Sequence, residues 1–466
     1  MWFRRDKFPP GPYTGLKGWS FRALKQSPLE MFTELARHGD IVGVRVVNFK
    51  NIFINHPSLI EEVLVGHPRR YYKGRVLRAN RHVFGEGLLT SEGDFWLRQR
   101  RLVQPAFHRA RIAAYAGTMV EYAQRLMENW SAGEERDVHQ EMMKLTLQIV
   151  AKTLFNADVT RDARDVGKSL ELLLELGADF RRTLFVPHWV PTFTNLRIKR
   201  EIAFIESILY RIINERRVSG RDTGDLLSML LHAQDEDGSR MTDKQLRDET
   251  ITLFLAGHET TASSLSWTWW LLAQNPAVEA KLHSELDEVL DGRAPSMDDL
   301  ARLPYTANVI TESMRLYPPA WGLARIAVED HELGGYPVRK GMGVAMAQWV
   351  VHRDTRWYDT PEEFRPERWE GDFGKRIPRF AYFPFGGGPR QCIGNSFAVM
   401  EATLILATIA QKYRLCLVPD HPVVPLASIT LRPRYGVRVV LESRQRRFAE
   451  TLATESQPAS QVISAD

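Results

Sequence analysis

The stretch FGGGPRQCIG, residues 385–394, places one of the chain's two cysteines among four glycines, a proline and an arginine. Glycine lets backbone pass close to a bulky neighbour, so the run at 386–388 reads as room for something flat and large. The following residues, IGNSFAVMEATLILATIAQKY, are strongly helical in pattern. Cys392 therefore stands just before a helix start, where free N–H groups and the positive dipole end favour thiolate over thiol. Arg390 adds a cation two residues earlier. Such a thiolate can serve as a nucleophile, a redox sensor or a metal ligand. A buried structural cysteine is the plain alternative. Cys416, in the apolar run YRLCLVP, fits that alternative. A zinc site needs further Cys or His at close spacing, and none accompanies Cys392.

Bulk properties narrow the class. A length of 466 residues is compatible with about three domains of ~150 residues. No internal repeat appears, however, and no linker that could separate domains. With 44% hydrophobic and 26% charged residues, the chain can bury a large core. Lys and Arg total 62 against 57 Asp and Glu, a net charge of +5. That excess is too mild and dispersed for nucleic acid and favours an acidic protein partner. Two cysteines make no disulfide framework, which points to a reducing, cytoplasmic setting. The opening MWFRRDKFPPGP lacks the apolar stretch of a signal peptide. The longest apolar runs, VAMAQWVV (344–351) and TLILATIA (403–410), fall short of the ~20 residues of a membrane span. A protein without a transmembrane anchor is expected.

The pattern along the chain is mainly helical with small strand regions. PLEMFTELARHG reads as a helix, and IVGVRVVNFKNIFINHP as two strands turning around Asn48 to Asn51. Helical periodicity dominates from Asp94 to about Leu290, and Asn275-Pro276 ends the clearest helix. RIAVEDHELGGYPVRKGMGVAM returns to short strands, and PLASITLRPRYGVRVVLE reads as a terminal hairpin. Residues 443–466 are expected to form a disordered tail.

The pattern Phe385-x-x-Gly388-x-Arg390-x-Cys392-x-Gly394 resembles the heme-binding signature of cytochromes P450. Three further family motifs occur in order, so the resemblance spans roughly residues 9 to 442. It implies one mainly α domain with small β-sheets, residues 1–442, built with a long central helix over a buried heme b. It implies Cys392 as the axial thiolate to iron, Phe385 beside the sulfur and Arg390 on a heme propionate.

The other motifs carry their own physical logic. In Ala256-Gly257-His258-Glu259-Thr260-Thr261, two small residues thin a helix wall, and Thr260 can bond back to the Ala256 carbonyl. Delivering protons to dioxygen at a buried site takes an acid, an alcohol and ordered water. The resemblance gives those roles to Glu259 and Thr260 and leaves His258 to packing. Glu312 and Arg315 share a helical face and resemble the buried E-x-x-R pair. Pro366-Glu367-Arg368-Trp369 resembles the segment that completes that pair, with Trp369 where the family usually has Phe. Trp96 and Arg100, at i and i+4, can point together at one propionate, and Arg325 matches a further propionate arginine by position.

The aromatic segment 176–196, with Phe180, Phe185, Trp189 and Phe193, reads as an apolar entrance, a membrane-touching rim or a capped core cluster. YPPAWGLAR is expected to place Ala320 and Trp321 near substrate. YPPAWGLAR and GLLTSEGDFW resemble a bacterial branch that includes carotenoid hydroxylases, and fatty-acid hydroxylases share AGHETT. The implied activity is monooxygenation of a long apolar substrate (fatty acid, terpenoid or carotenoid). A peroxide-driven hydroxylase and a heme-thiolate sensor are the alternatives. No flavin or nicotinamide domain follows, so electrons come from a ferredoxin or flavodoxin-type protein docking on the basic helix of Arg98, Arg101, Arg109 and Arg111. The chain is expected to act as a monomer.

Overall fold

The periodic run ending at Asn275 is the greater part of a 32-residue helix, Asp243–Gln274, in the computed structural model. The structure describes residues 8–12, 27–46, 49–157, 163–178, 186, 188–234, 238 and 240–444. Thr242 starts this central helix with a capping box: its hydroxyl accepts the Gln245 N–H, and the Gln245 side chain accepts the Thr242 N–H. Apolar residues on every face bury it almost all round. Two of its buried hydroxyls avoid a burial penalty by bonding back one turn, Ser266 to Ala262 at 2.6 Å and Thr268 to Ser264 at 2.8 Å.

Helices Val138–Phe155, Pro304–Leu316 and Asn395–Ala410 pack against it. Gly257 permits the first of these contacts, since a Cβ there would lie 2.8 Å from Val150. Of the two small residues expected to thin the helix, Gly257 thus serves helix packing. Of the two, Ala256 lies on the open side, exposed although Leu255 and His258 are buried.

The main sheet has five strands in the order β1-β2-β8-β5-β3. These are β1 (Ile41–Val46), β2 (Phe49–Ile54), β3 (Tyr71–Lys73), β5 (Leu323–Ala327) and β8 (Gly343–Met346). Only β2 and β8 pair in parallel among them. The register of β3 on β5 sets Lys73 opposite Arg325. β6 (His331–Leu333) and β7 (Tyr336–Val338) form a small hairpin.

Three expectations are corrected. β2 already begins at Phe49, so Phe49 to Asn51 belong to the strand; residues 47–48 lie outside the described residues. The helical half is interrupted by β4 (Glu135–Asp137). The terminal hairpin is confined to β10 (Pro425–Ala427) and β11 (Leu431–Pro433). Pro433 ends β11, and Gly436 at φ +75° turns the chain into β12 (Arg438–Ser443). β12 pairs instead with β4 and with β9 (Tyr413–Leu417). It carries the ordered chain into the start of the expected tail; residues 445–466 lie outside the described residues.

Arg315 is fully buried and finds a partner for every donor. Nε and Nη2 bond Glu312 at 2.8 and 2.9 Å, and the remaining bonds reach the carbonyls of His352, Pro361 and Glu363. Arg368 Nε approaches the same Glu312 carboxylate at 3.4 Å. Trp369 adds what the usual Phe could not, an indole N–H donated to Glu312 at 2.8 Å. Removing one partner strands buried charge. Glu312→Ala is expected to lose about 3–5 kcal/mol of stability. Trp369→Phe is expected to lose about 1.5–3 kcal/mol, the range for a hydrogen bond to a charged group. Urea midpoints with unchanged slopes check both.

Candidate functional site

The cysteine loop hangs from that network. His352, whose carbonyl Arg315 holds, is kept neutral by burial and by Arg315, its pKa pushed down to about 3. Its Nε2 accepts the Phe383 N–H at 3.0 Å. The Phe383 carbonyl accepts from Gly386 at 2.9 Å, and the Phe385 carbonyl accepts from Cys392 at 3.0 Å. The glycines make room for protein. A Cβ on Gly388, at φ +66°, would lie 1.9 Å from the Leu64 carbonyl oxygen, and one on Gly387 would lie 2.4 Å from the Phe380 ring. The flat neighbour of this run is therefore, at Gly387, a phenyl ring of the chain itself.

Cys392 is accessible at its surface yet encircled by protein, so it lines an internal space. Burial pushes its thiol pKa up, and the Gly394 N–H, Arg100 and Lys73 offset this only in part. Desolvation thus works against the thiolate that the helix start favours, and a bond to heme iron would hold it ionised. Arg390 turns elsewhere: it bonds the Ser91 carbonyl at 2.9 Å, pairs with Glu92 and lies 3.8 Å over the Trp96 ring. Trp96 therefore stacks with Arg390, whereas Arg100 reaches the Gln391 carbonyl at 3.1 Å.

The open side of the central helix carries Ala256 and Thr260. Thr260 Oγ1 donates to the Ala256 carbonyl at 2.6 Å, the bond its spacing predicts. Glu259, one residue away, turns about 100° round the helix. It is buried and accepts from Thr430 Oγ1 at 2.7 Å. Burial raises its pKa to about 7 against the pull of Thr430 and Arg432. The acid and alcohol are therefore neighbours in sequence but face different surroundings. His258 is buried, and desolvation lowers its pKa to about 3, so it stays neutral.

Positive charge crowds one side of the site. Burial followed by the charges of Arg390 and Arg325 lowers Lys73 to about 7. Burial lowers Arg325 and Arg390 to about 10, and also lowers Arg100. Glu92 is the acid set among them: it accepts the Lys73 N–H at 2.7 Å and pairs with Arg390. Among the described residues the side chain of buried Arg325 bonds only the adjacent Ala324 carbonyl. A buried cation without a carboxylate is costly, so the cluster fits a ligand bringing anionic groups. Among the described residues no group of three or more His, Cys, Asp or Glu could hold a bare metal ion. One thiol, a small-residue helix face and a cation cluster match a metal already held in a flat dianionic frame. Lys73 and Glu92 escaped sequence reasoning. Lys73 becomes visible only once β3 is registered on β5. Glu92 had a signal, four residues before Trp96 on the same helical spacing.

On the substrate side, Trp189 and Phe193 are 70% and 83% exposed, which rules out a capped core for them. Phe180 and Phe185 lie outside the described residues. Trp321, which the resemblance places near substrate, is half-buried. Its indole N–H needs an acceptor and takes the Ser428 carbonyl at 2.9 Å, and its ring packs on Phe32. Leu323, near Gly386, is the residue of that segment beside the cysteine loop.

The fold and site are those of a heme-thiolate oxygenase. The cytochrome P450 family profile matches residues 7–436, and the chain belongs to that family. It is 39% identical over 416 residues to cyclooctatin synthase of Streptomyces melanosporofaciens, covering 88% of this chain and 90% of that one. It is 36% identical over 427 residues to pentalenene oxygenase of Streptomyces avermitilis, covering 90% and 94%. Its structure matches the crystal structure of the cytochrome P450DA heme domain with a TM-score of 0.84 at 29% identity, covering 94% and 98%. The protein is accordingly a P450 monooxygenase with a thiolate-ligated heme iron.

Two outcomes check the geometry. Cys392→Ala is expected to abolish the thiolate-type absorption of the reduced carbon monoxide complex, and Cys416→Ala to leave it intact. Arg325→Leu is expected to weaken heme binding ~10–100-fold, the equivalent of one charge-assisted bond. Heme content after gel filtration at low protein concentration measures it.

Proposed function

We propose that the chain uses dioxygen and external electrons to insert one oxygen atom into a C–H or C=C bond of an apolar, terpenoid-class substrate. The observations that carry this reading are an accessible Cys392 in its glycine-rich loop and a central helix that leaves Ala256 exposed beside the Thr260 hydroxyl. The terpenoid assignment rests on the names of the relatives, and fatty acids and carotenoids are the comparison set.

Cys392 would bind the iron of heme b, with Phe385 beside the sulfur. Arg100, Arg325, Arg390 and Trp96 would hold its propionates, with Lys73 alongside. When bound, the heme supplies reductive activation of dioxygen and oxygen transfer. The chain's own work is to position and to move protons. The Thr260 hydroxyl presents a hydrogen bond to the open side, and its own proton is held by the Ala256 carbonyl until a reacting group competes for it. Glu259, with a pKa of about 7, carries an exchangeable proton near neutral pH, where a general acid is most effective. Because Glu259 faces Thr430, its proton reaches Thr260 through ordered water or a rotation of the side chain.

Electrons would arrive at the cysteine face. Arg100 on Gln391, and Phe107 against Gly394, place the 93–107 segment on that loop. Exposed Arg101, Arg109 and Arg111 nearby suit an acidic ferredoxin or flavodoxin, with association that slows as salt rises. No described helix is long and apolar enough to cross a membrane. A monomer in the cytoplasm is the working arrangement.

Spin-state titration with terpenoids, fatty acids and carotenoids identifies the substrate class. With a substrate so found, Thr260→Ala is expected to bind it and accept electrons normally. Product per reductant oxidised falls, within the ~10²–10⁴ range of acid–base contributions to the productive step. Peroxide assayed alongside rises in proportion. Unchanged coupling would remove Thr260 from proton delivery.

A further inference from the structure

The segment Gly85–Glu92 is gripped from two sides, and one residue, Leu88, carries both grips. On one side stands the central helix. Asp248 Oδ2 accepts the Glu86 N–H at 2.9 Å, and Glu249 Oε2 accepts the Leu88 N–H at 3.0 Å. The contact is close: a Cβ on Gly85 would meet Asp248 Oδ1 at 2.0 Å, and one on Gly87 would meet Thr252 Oγ1 at 2.3 Å. Thr252 lies one turn before Ala256, so the segment lies against the helix beside its open face. On the other side stands β3, from which Lys73 Nζ donates to the carbonyls of Leu88 and Leu89 at 3.2 and 2.8 Å. Leu88 is thus held by its N–H on Glu249 and by its C=O on Lys73.

Glu249 is fully buried, and its Oε1 has no hydrogen-bond partner. Nothing in the oxidation chemistry uses it. We propose that Glu249 and Lys73 are a pair of positioning residues that clamp Leu88 and so fix the 85–92 segment as a wall of the oxidising pocket. This rests on the monooxygenase reading only for the identity of that pocket.

The clamp has a definite pH signature. Burial and Asp248 raise the Glu249 pKa to about 8, while the Leu88 N–H and Lys73 pull it down. The charged groups around the pair are Asp248 on the helix, Lys73 on β3, and beyond Lys73 the cluster of Arg390, Arg325, Glu92 and Arg100. Opening the segment hydrates Glu249 and returns it toward its ordinary 4.5. Between 4.5 and about 8 the open state is ionised and the closed state protonated. The closed state then binds more protons, so raising pH favours opening, ~tenfold per unit. Lys73 works the other way, but only above its closed-state value of about 7, because below it Lys73 is charged in both states.

Amide exchange of the peptide containing Leu88 in the heme-loaded protein, corrected for intrinsic chemical rates, tests this between about pH 5 and about pH 7. The wild type is expected to open close to tenfold more per pH unit. Glu249→Gln, which keeps the acceptor but cannot ionise, is expected to show no slope. Lys73→Gln is expected to open at least tenfold more at every pH with the slope retained. A flat wild type, a Glu249→Gln variant with the wild-type slope, or a Lys73→Gln variant with wild-type opening would each overturn the clamp. None of these readings needs turnover, so their failure leaves the monooxygenase reading standing.

Discussion

Arg315 has five N–H donors and no water to give them to, and much of the molecule is arranged around that fact. Two of its bonds tie it to Glu312, and the others gather three carbonyls spread from His352 to Glu363. A segment without long helices or strands is thereby fixed as firmly as a sheet. From His352 the constraint passes through Phe383 and Phe385 to Cys392, one hydrogen bond at a time. The thiol's position is therefore set by a buried ion pair that never touches it. Glu312 also receives Arg368 and Trp369, so its charge is shared among several donors. That sharing is the condition under which a buried ion pair holds a structure together at tolerable desolvation cost.

A second constraint is angular. Successive residues on a helix diverge by about 100°, so Glu259 and Thr260 cannot both face the open side. The alcohol takes it, and the acid turns to the β10–β11 turn. A carboxylate in direct line with the reacting atoms would be a permanent charge in an apolar pocket. Set back and half-ionised near neutral pH, Glu259 would be a proton store that leaves the pocket neutral.

Local chemistry was legible in the sequence, and long-range chemistry was not. The Cys392 loop, the Thr260 back-bond and the Glu312–Arg315 pair all lie within a few residues, where spacing fixes geometry. Gly257 and the 386–388 glycines were recognised as points of close approach, but the approaching groups, Val150, Leu64 and Phe380, are distant in sequence. The acceptor of the Trp321 indole N–H, the Ser428 carbonyl, is likewise distant in sequence. Lys73 was silent for the same reason. A lone lysine in a short strand looks solvated until β5 brings Arg325 opposite it. The burial that raises the Cys392 pKa against the nearby cations is likewise a property of the folded chain and not of local spacing.

The crowding of Lys73, Arg100, Arg325 and Arg390 around one acid has a consequence for the life of the protein in a cell. Their mutual repulsion taxes the folded chain before its cofactor arrives, and heme carboxylates relieve it. Any ligand that binds the native state alone adds stability by mass action, about 2.7 kcal/mol at a hundredfold excess over its dissociation constant. Chains made faster than heme is supplied would spend more time open to proteases, and differences of this size change abundance several-fold. The steady-state amount of this enzyme would then follow porphyrin supply even at constant rates of transcription and translation.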